Sequence, residues 1–308
     1  MKKGIVLIFL LSFTAICNVA CGKGMDESVP IIEEVGDGVD EPSLIIEEAD
    51  DGVGYATFDG IKHSFILDLP AKTEGAPLAI MLHGYGGNAE AFRRDVGFEK
   101  DANPRGYAVV YVTGAANKAD STSATGWNSG TGDSDNEDVG FLVALTDELC
   151  DKYSFDRNRI FAIGFSNGAF MTHRLALEAN DTFAAVVSVA GMMPQSIWDN
   201  KPYECNIGIL QITGQKDDVV PKNSDGSAKY AKAPAIEDVM YYYVKGNGLT
   251  DTESVPLGKK AVLNKYSSDT SSKQVWDIFI KDGRHSWPDE KIVGFNTNNI
   301  ILDFLETQ

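Results

Sequence analysis

Histidine, cysteine and basic residues are scarce in this sequence of 308 residues. It holds 4 histidines and 4 cysteines, and its 27 lysines and arginines stand against 45 aspartates and glutamates, for a formal net charge of -18. Nucleic-acid phosphates and anionic lipid headgroups attract basic patches, so this balance argues against both as partners. Cys150 and Cys205 have no neighbouring cysteine or histidine at metal-ligand spacing, which leaves a structural zinc site without support. Whether these two cysteines form a disulfide stays open at this level.

A long apolar run is also absent, but a short one lies near the N-terminus. Lys2 and Lys3 precede an apolar stretch from Ile5 to Ile16, an order typical of a secretory signal and too short for a membrane span. Small residues then lead to Cys21, which resembles the lipid-bearing cysteine of bacterial lipoproteins. We expect a signal peptide over residues 1–21, lipidation of Cys21 and anchoring at the cell surface. Ordinary secretion is the alternative, and the lipid anchor would be the chain's contact with a membrane.

The segment after the leader is strongly acidic. Residues 22–60 contain twelve acidic side chains and a single basic one, Lys23. The motif Ile31–Glu34 recurs as Ile45–Glu48, and each copy is followed by a stretch rich in Asp and Gly. Like charges repel and few apolar residues are available for a core. We therefore predict a flexible acidic linker over residues 22–54 and a single folded domain over residues 55–308.

The remaining chain alternates between strand-like and helix-like patterns. Alternation of this kind predicts parallel strands joined by crossover helices, hence an α/β fold with a doubly wound, mostly parallel sheet and helices on both faces. The predicted strands are Lys62–Leu69, Leu78–Leu82, Tyr107–Val112, Arg159–Ile163, Ala184–Val189, Ile207–Thr213 and Gln274–Ile280. The predicted helices are Val139–Asp151, Ala169–Glu178 and Ile236–Val244. The short connection from Ala190 to Asn206 leaves no room for a large lid, although Lys222–Ala233 could fold over a pocket.

The pentapeptide Gly164–Gly168 carries the strongest chemical signal. It directly follows a predicted strand and directly precedes a predicted helix. A serine hydroxyl is a poor nucleophile at neutral pH, and a sharp strand-to-helix turn presents its oxygen to a base. The flanking glycines permit a close approach of backbones that a side chain would block. We therefore predict Ser166 as a nucleophile.

Elimination selects the base among the histidines. His173 lies seven residues after Ser166, roughly 10 Å along a helix axis and out of hydrogen-bond reach. His63 falls within an early strand, and His83 opens a glycine-rich turn. His285 remains, in a loop after the last predicted strand, and becomes the predicted base.

An acid that orients the base is expected between Ser166 and His285 in the sequence. Enzymes with a nucleophilic serine on such a strand-to-helix turn, or elbow, carry a catalytic triad in the order serine, acid, histidine. Asp217 and Asp218 both follow the strand Ile207–Thr213, and spacing alone does not choose between them. Donors for an oxyanion are expected where Leu78–Leu82 runs into the glycine turn His83–Gly87. The backbone amides of Tyr85 and Asn167 are the candidates.

These motifs together resemble carbohydrate esterase family one, which holds feruloyl and acetylxylan esterases, and the related polyhydroxybutyrate depolymerases. The resemblance covers roughly residues 55–306. Its motifs are His83–Gly87, Trp127 with Asn128, Asp138–Phe141, the Ser166 elbow, Gly214–Pro221 and His285–Pro288. It implies the α/β-hydrolase fold, and the position of the family's acid selects Asp217.

The resemblance implies a serine esterase that acts through an acyl-enzyme and needs no cofactor and no metal. Trp127 and Trp287 are candidate walls of the substrate pocket, with ordinary packing as the alternative, and Asp138 is expected to cap the helix that begins near Val139. The expected substrate is an acylated polysaccharide such as feruloylated or acetylated xylan. Depolymerisation of a polyhydroxyalkanoate is the alternative within hydrolases, and a non-catalytic carbohydrate-binding lipoprotein is the alternative from another class.

Overall fold

The structure, a computed structural model, describes residues 43–48, 52–222 and 233–308. One sheet of eleven strands runs through this part of the chain, in the spatial order β1-β2-β3-β5-β4-β6-β7-β8-β11-β10-β9. The strands are β1 (Ile45–Glu48), β2 (Val53–Phe58), β3 (Ile61–Asp68), β4 (Leu78–Leu82), β5 (Ala108–Val112), β6 (Ile160–Phe165), β7 (Ala185–Val189), β8 (Gly208–Gly214), β9 (Asp251–Leu257), β10 (Ala261–Ser267) and β11 (Val275–Ile280).

The helices connect and cover these strands. They are α1 (Ala89–Val96), α2 (Glu99–Ala102), α3 (Asp138–Tyr153), α4 (Asn167–Glu178), α5 (Gln195–Asn200), α6 (Ile236–Gly246), α7 (Glu290–Val293) and α8 (Thr297–Leu305), with a short 3₁₀ turn at Asn103–Arg105. Among the described residues, no helix is both long enough and apolar enough to cross a bilayer.

The middle of the sheet is parallel and fully enclosed. Strands β5, β4, β6, β7, β8 and β11 pair in parallel. Every residue of β4, β5, β7 and β8 is buried, as expected for strands that are covered on both faces and therefore read as continuous apolar runs. The prediction of a doubly wound, mostly parallel α/β fold is confirmed.

Two apolar cores sandwich the sheet. One contains Leu145, Phe170 and Met240 from α3, α4 and α6. The other contains Phe92 from α1 and Leu302 from α8. The central strands run in parallel between these two cores, so their carboxyl ends lie along one edge of the sheet. The loops that follow these strands therefore meet at that edge.

Antiparallel strands extend both ends of the sheet. At one end β3 pairs with β5 and β2 with β3, and at the other end β10 pairs with β11 and β9 with β10. These additions make the sheet mixed at its margins without altering the parallel centre.

The linker prediction is wrong at its C-terminal boundary. It extended to residue 54, but Ile45–Glu48 forms β1 and pairs with β2, with Ile45 opposite Thr57 and Glu47 opposite Tyr55. Glu47 also meets Lys62 of β3 at 2.6 Å. The acidic composition is therefore compatible with an exposed edge strand, whose ladder hydrogen bonds come from a neighbour that the local sequence does not reveal. The predicted signal peptide and Cys21 lie outside the described residues.

Cys150 and Cys205 are free thiols in the structure, and both are buried. Burial raises the pKa of the Cys150 thiol to about 11 and that of Cys205 to about 12. A thiol that holds its proton this firmly is a weak nucleophile, so both cysteines act as small packing residues.

Candidate active site

Ser166 occupies the sharp turn between β6 and α4. Its backbone has φ 52° and ψ -117°, a conformation that L-residues rarely adopt, and its amide donates to the carbonyl of Val189 at 3.0 Å. A Cβ on Gly164 would collide with the Gly168 carbonyl, and a Cβ on Gly168 would collide with the Leu82 carbonyl. The two glycines are therefore required because β6, α4 and β4 approach too closely for side chains, and the turn is held in its strained shape.

His285 contacts Ser166 from the loop between β11 and α7. Its Nε2 lies 2.9 Å from Ser166 Oγ, and its Nδ1 lies 2.8 Å from Asp217 Oδ2. An ionised carboxylate only accepts hydrogen bonds, so the contact with Asp217 assigns the ring proton to Nδ1. Nε2 is then free to accept the serine proton, which is the arrangement that acyl transfer needs.

Asp217 is fixed by the backbone that follows it. Its Oδ1 accepts from the amides of Val219 at 3.0 Å and Val220 at 2.7 Å, and its side chain is 1% exposed. Asp218 is exposed and makes no hydrogen bond to His285 in the described part of the chain. Of the two adjacent carboxylates, Asp217 is thus the one that the structure brings to the base.

The turn after β4 lies against the nucleophile. A Cβ on Gly84 would stand 3.2 Å from Ser166 Cβ, and the Gly87 amide closes the turn on the Gly84 carbonyl at 3.0 Å. Within the described residues, neither the Tyr85 amide nor the Asn167 amide donates to a protein acceptor. Both are therefore available to a ligand, and Asn167 also begins α4, whose N-terminal dipole favours negative charge.

His83 holds this turn in place. Its Nδ1 donates to the Gly84 carbonyl at 2.7 Å, and its Nε2 accepts from the Gly114 amide at 2.9 Å. Burial lowers the pKa of His83 to about 4. A neutral ring with one donor and one acceptor satisfies both backbone groups, so His83 is a structural tie and not a proton carrier.

Trp127 does not line the substrate pocket, and this prediction is wrong. The side chain is 1% exposed, and its indole N–H donates to the His83 carbonyl at 3.0 Å. The Trp127 amide donates to Asn167 Oδ1 at 2.7 Å, and Asn167 Nδ2 returns a bond to the Trp127 carbonyl at 3.2 Å. Through these hydrogen bonds Trp127 connects the turn after β4 to the start of α4.

Trp287 lines a groove beside the nucleophile. The groove has a volume of about 390 Å³, and its aromatic walls are Tyr85, Phe92, Phe165 and Trp287. Trp287 packs edge-on against Phe92 at 5.8 Å between ring centroids and donates from its indole to Asn298 Oδ1 at 3.2 Å. Sequence reasoning missed Phe92 and Phe165, although Phe165 stands within the elbow motif.

Asp138 does not cap α3, which corrects a further prediction. Glu137 is the N-cap residue, and its side chain accepts from the Gly140 amide. Asp138 is 1% exposed and its Oδ2 accepts from the Asn128 amide at 2.6 Å. Burial raises the pKa of Asp138 to about 6. The carboxyl thus anchors the loop that carries Trp127, a long-range contact that competes with local capping.

The remaining histidines lie away from the serine. His173 is enclosed in α4 between Gln211 at 3.2 Å and Tyr243 at 3.4 Å. His63 stacks on Phe141 at 3.7 Å and donates to the Thr113 carbonyl at 3.1 Å. Burial lowers the pKa of each to about 4. No group of three or more His, Cys, Asp and Glu side chains in the described ranges is arranged to hold a metal ion.

A strained serine elbow, a histidine bonded to a buried carboxylate and an α/β sheet together define a serine hydrolase of the α/β-hydrolase class. The family model described as esterase PHB depolymerase matches residues 62–198. The protein NocK of Nocardia uniformis subsp. tsuyamanensis, named as an esterase, is 31% identical over 71% of this chain and 67% of its own length. The chain belongs to the PHB depolymerase family of esterases.

Other relatives share smaller parts. Feruloyl esterase B of Piromyces equi is 30% identical over 49% of this chain, and the match spans 28% of that enzyme. Among solved structures, the acetyl xylan esterase of Aspergillus awamori superposes with a TM-score of 0.56, 13% identity and coverage of 87% of this chain and 100% of its own. At that identity the superposition shows the shared fold. The family match ends at residue 198 and therefore contains the elbow but neither Asp217 nor His285.

Proposed function

We propose that this protein removes aromatic acyl groups of the feruloyl type from an acylated polysaccharide, with Ser166 as nucleophile, His285 as base and Asp217 as its orienting acid. The observation that carries the mechanism is the unbroken hydrogen-bonded chain Asp217–His285–Ser166, at 2.8 Å and 2.9 Å. The names of the feruloyl and acetylxylan esterases among its relatives support an ester on xylan as the substrate class.

Chemistry proceeds in two acyl transfers. Ser166 Oγ attacks the ester carbonyl while its proton passes to His285 Nε2, and the carbonyl oxygen becomes an oxyanion near the amides of Tyr85 and Asn167. The C–O bond to the sugar then breaks, and His285 returns the proton to the leaving alcohol. Water attacks the acyl-enzyme by the same route, which releases the carboxylic acid and restores the serine. No redox step or external group donor is needed.

The aromatic groove favours a large planar acyl group over acetate. An acetyl group would leave most of its 390 Å³ empty, whereas an aryl ring would bury apolar surface against Phe92, Phe165 and Trp287. Offset or edge-on contacts with such rings contribute about 0.5–1.5 kcal/mol each beyond the buried area. The acyl ring is therefore expected to raise kcat/KM relative to acetate.

A panel of methyl ferulate, acetylated xylan and a short 3-hydroxybutyrate oligoester tests this assignment. The expected order of kcat/KM places methyl ferulate first, and Trp287→Ala should lower the ferulate value while changing that of a nitrophenyl acetate little. A highest value for the oligoester would instead establish polyester depolymerisation, which the name of the matched family model makes the second candidate. A purified protein that hydrolyses none of these esters would be a binder with a hydrolase fold.

Export and lipid anchoring remain proposals. The proposal of a lipid anchor rests on the apolar leader, which is followed by small residues and Cys21. Cys21→Ser should leave esterase activity intact and move the protein out of the membrane fraction, into the medium or into an unprocessed precursor. An unchanged fractionation would contradict lipidation at this cysteine.

A further inference from the structure

A second aromatic groove lies between α5 and α6, apart from the triad. Its volume is about 500 Å³. Two tyrosines line it with wide exposure, Tyr203 at 81% and Tyr241 at 66%. Exposed tyrosines grouped in one concave surface are unusual for a surface without a ligand, since soluble proteins limit contiguous apolar patches. Neither tyrosine lines the groove beside Ser166 that contains Trp287.

One face of α6 supplies a wall of the groove. Asp238, Tyr241 and Lys245 lie on this wall, and their spacing of three and four residues places them on the same helix face. From Asp238 to Lys245 the helix rises roughly 10 Å. This wall of the groove therefore carries the Tyr241 ring near its middle and the charges of Asp238 and Lys245 near its two ends.

The end of α5 and the loop that follows it supply the other lining residues of the groove. Lys201 Nζ lies 3.5 Å from the centroid of the Trp198 ring and donates to the Trp198 carbonyl at 2.9 Å. Trp198 in turn packs edge-on against Tyr242 at 6.1 Å. A lysine held on an indole face keeps its charge at a fixed place in the groove, which Tyr203 also lines.

The charge of the groove contrasts with that of the whole chain. Its described lining includes two lysines, Lys201 and Lys245, and one carboxylate, Asp238, whereas the chain has a net charge of -18. Aromatic rings pack against the apolar faces of sugar rings, and fixed ammonium groups donate hydrogen bonds to carboxylates. A neutral polysaccharide would use only the aromatic rings, and a small anion would use only the ammonium groups.

We propose that this groove, formed by Trp198, Lys201, Tyr203, Asp238, Tyr241 and Lys245, binds a polysaccharide chain that carries uronate groups. The inference rests on the proposed function, in which the substrate is a polysaccharide. Binding here holds the polymer on the enzyme while its acyl groups reach Ser166. The rings of Tyr203 and Tyr241 stack on sugars, and Lys201 and Lys245 pair with the uronate carboxylates.

Binding of the full chain carrying Ser166→Ala to glucuronoxylan, measured by calorimetry, tests the proposal without hydrolysis of the polymer. The matched ligand is the same glucuronoxylan after chemical reduction of its carboxyl groups. We expect the parent to bind the acidic polymer more tightly, by about tenfold at low salt, with the preference shrinking as ionic strength rises. Equal binding of both polymers would overturn the proposal, as would an absence of binding.

Variants of the groove separate stacking from charge. The pair Tyr203→Ala and Tyr241→Ala should weaken binding of glucuronoxylan by about tenfold or more, whereas Tyr203→Phe with Tyr241→Phe should retain it, because the rings remain. Lys245→Gln should reduce the preference for the acidic polymer, and Lys259→Gln, an exposed lysine in the turn between β9 and β10, should not. Parent-like binding by the double alanine variant would contradict the assignment.

A separate assay distinguishes this site from the catalytic one. In the enzyme with Ser166 intact, the same groove substitutions should leave kcat/KM for nitrophenyl acetate unchanged and raise KM for the feruloylated polymer alone. Failure of the parent to hydrolyse any ester would remove the proposed function while leaving the binding result to stand. A loss of nitrophenyl acetate hydrolysis in the double alanine variant would overturn the separation of the two sites.

Discussion

His83 and His285 follow the ends of two different strands and reach the same edge of the sheet, yet their surroundings give them opposite roles. Both ring nitrogens of His83 are occupied by backbone groups, and its side chain is enclosed. His285 instead joins a carboxylate to a hydroxyl, with 16% of its side chain exposed. A histidine that acts as a base therefore needs one ring nitrogen oriented by an acceptor and the other left free to take a proton.

Removal of the nucleophile or the base should produce the largest effect. Ser166→Ala and His285→Ala are each expected to lower kcat by about 10⁶-fold, since members of a triad act as a unit and not additively. Hydrolysis of nitrophenyl acetate measures the loss, with circular dichroism as the check on folding. A folded His285→Ala protein that retained a tenth of the activity would assign the base elsewhere.

The acid tests how far the orientation of His285 matters. Asp217→Asn should cost about 10⁴-fold in kcat, because an amide permits the wrong imidazole tautomer. Asp218→Asn is the matched control, since the neighbouring carboxylate is exposed, and its kcat should stay within about twofold of the parent value, as for a charge outside the site. The reverse pattern in two folded variants would show that the acid is misassigned.

Substitution of His83 should give a smaller loss of a different kind. His83→Ala frees the Gly84 carbonyl and the Gly114 amide, so the turn that carries the proposed donor Tyr85 loses its support. The value of kcat should fall by up to about 10²-fold, less than for outright loss of an oxyanion donor. His83→Gln offers one donor and one acceptor and should recover part of this loss. The pH dependence of kcat should keep its shape in both, because His83 carries no proton in the reaction. A displaced profile would make His83 a participant in proton transfer.

The smallest expected effect is on stability and concerns the buried histidine His63. The pKa of His63 is about 4 in the folded protein against an ordinary 6.5, so the folded state prefers the neutral ring. Its contribution to stability is complete above pH 6.5 and is lost as the pH falls towards 4. His63→Phe keeps the stack on Phe141 but removes the titration.

Urea unfolding at pH 7 and pH 4.5 measures this difference. The decrease in unfolding free energy over that interval should be smaller in His63→Phe than in the parent by about 2 kcal/mol, from 1.4 kcal/mol per pKa unit. The variant should retain parent kcat at pH 7. Identical decreases in both proteins would show that His63 is charged already in the fold.

Sequence patterns predicted those strands that bury both faces. Runs such as Leu78–Leu82 are apolar throughout, and the structure confirms them as strands. Strands β9 and β10 escaped prediction because they lie at the margin of the sheet, where Asp251–Leu257 is largely exposed and follows no apolar run. Strand β1 escaped for the same reason, since its pairing with β2 is not visible in its own composition.

The site also contains some residues that local sequence motifs predict and others whose contacts join distant parts of the sequence. The elbow is local, so Ser166 was found from five consecutive residues, and the order of the chain brought Asp217 and His285 into consideration. Distant contacts were beyond reach. Asp138 stands where a helix cap is expected, but its carboxylate accepts a hydrogen bond from the Asn128 amide instead. The aromatic wall at Phe92 comes from α1, which no predicted element contained.

The strained turn at Ser166 has a consequence for evolution. Backbone conformations of this kind cost about 1–3 kcal/mol in a residue other than glycine, and glycine would adopt the same φ without that cost. A Ser166→Gly protein should therefore tolerate more heat than Ser166→Ala, although neither has a nucleophile. A population selected for persistence alone would drift towards glycine at this position, and only continued demand for turnover keeps the serine there.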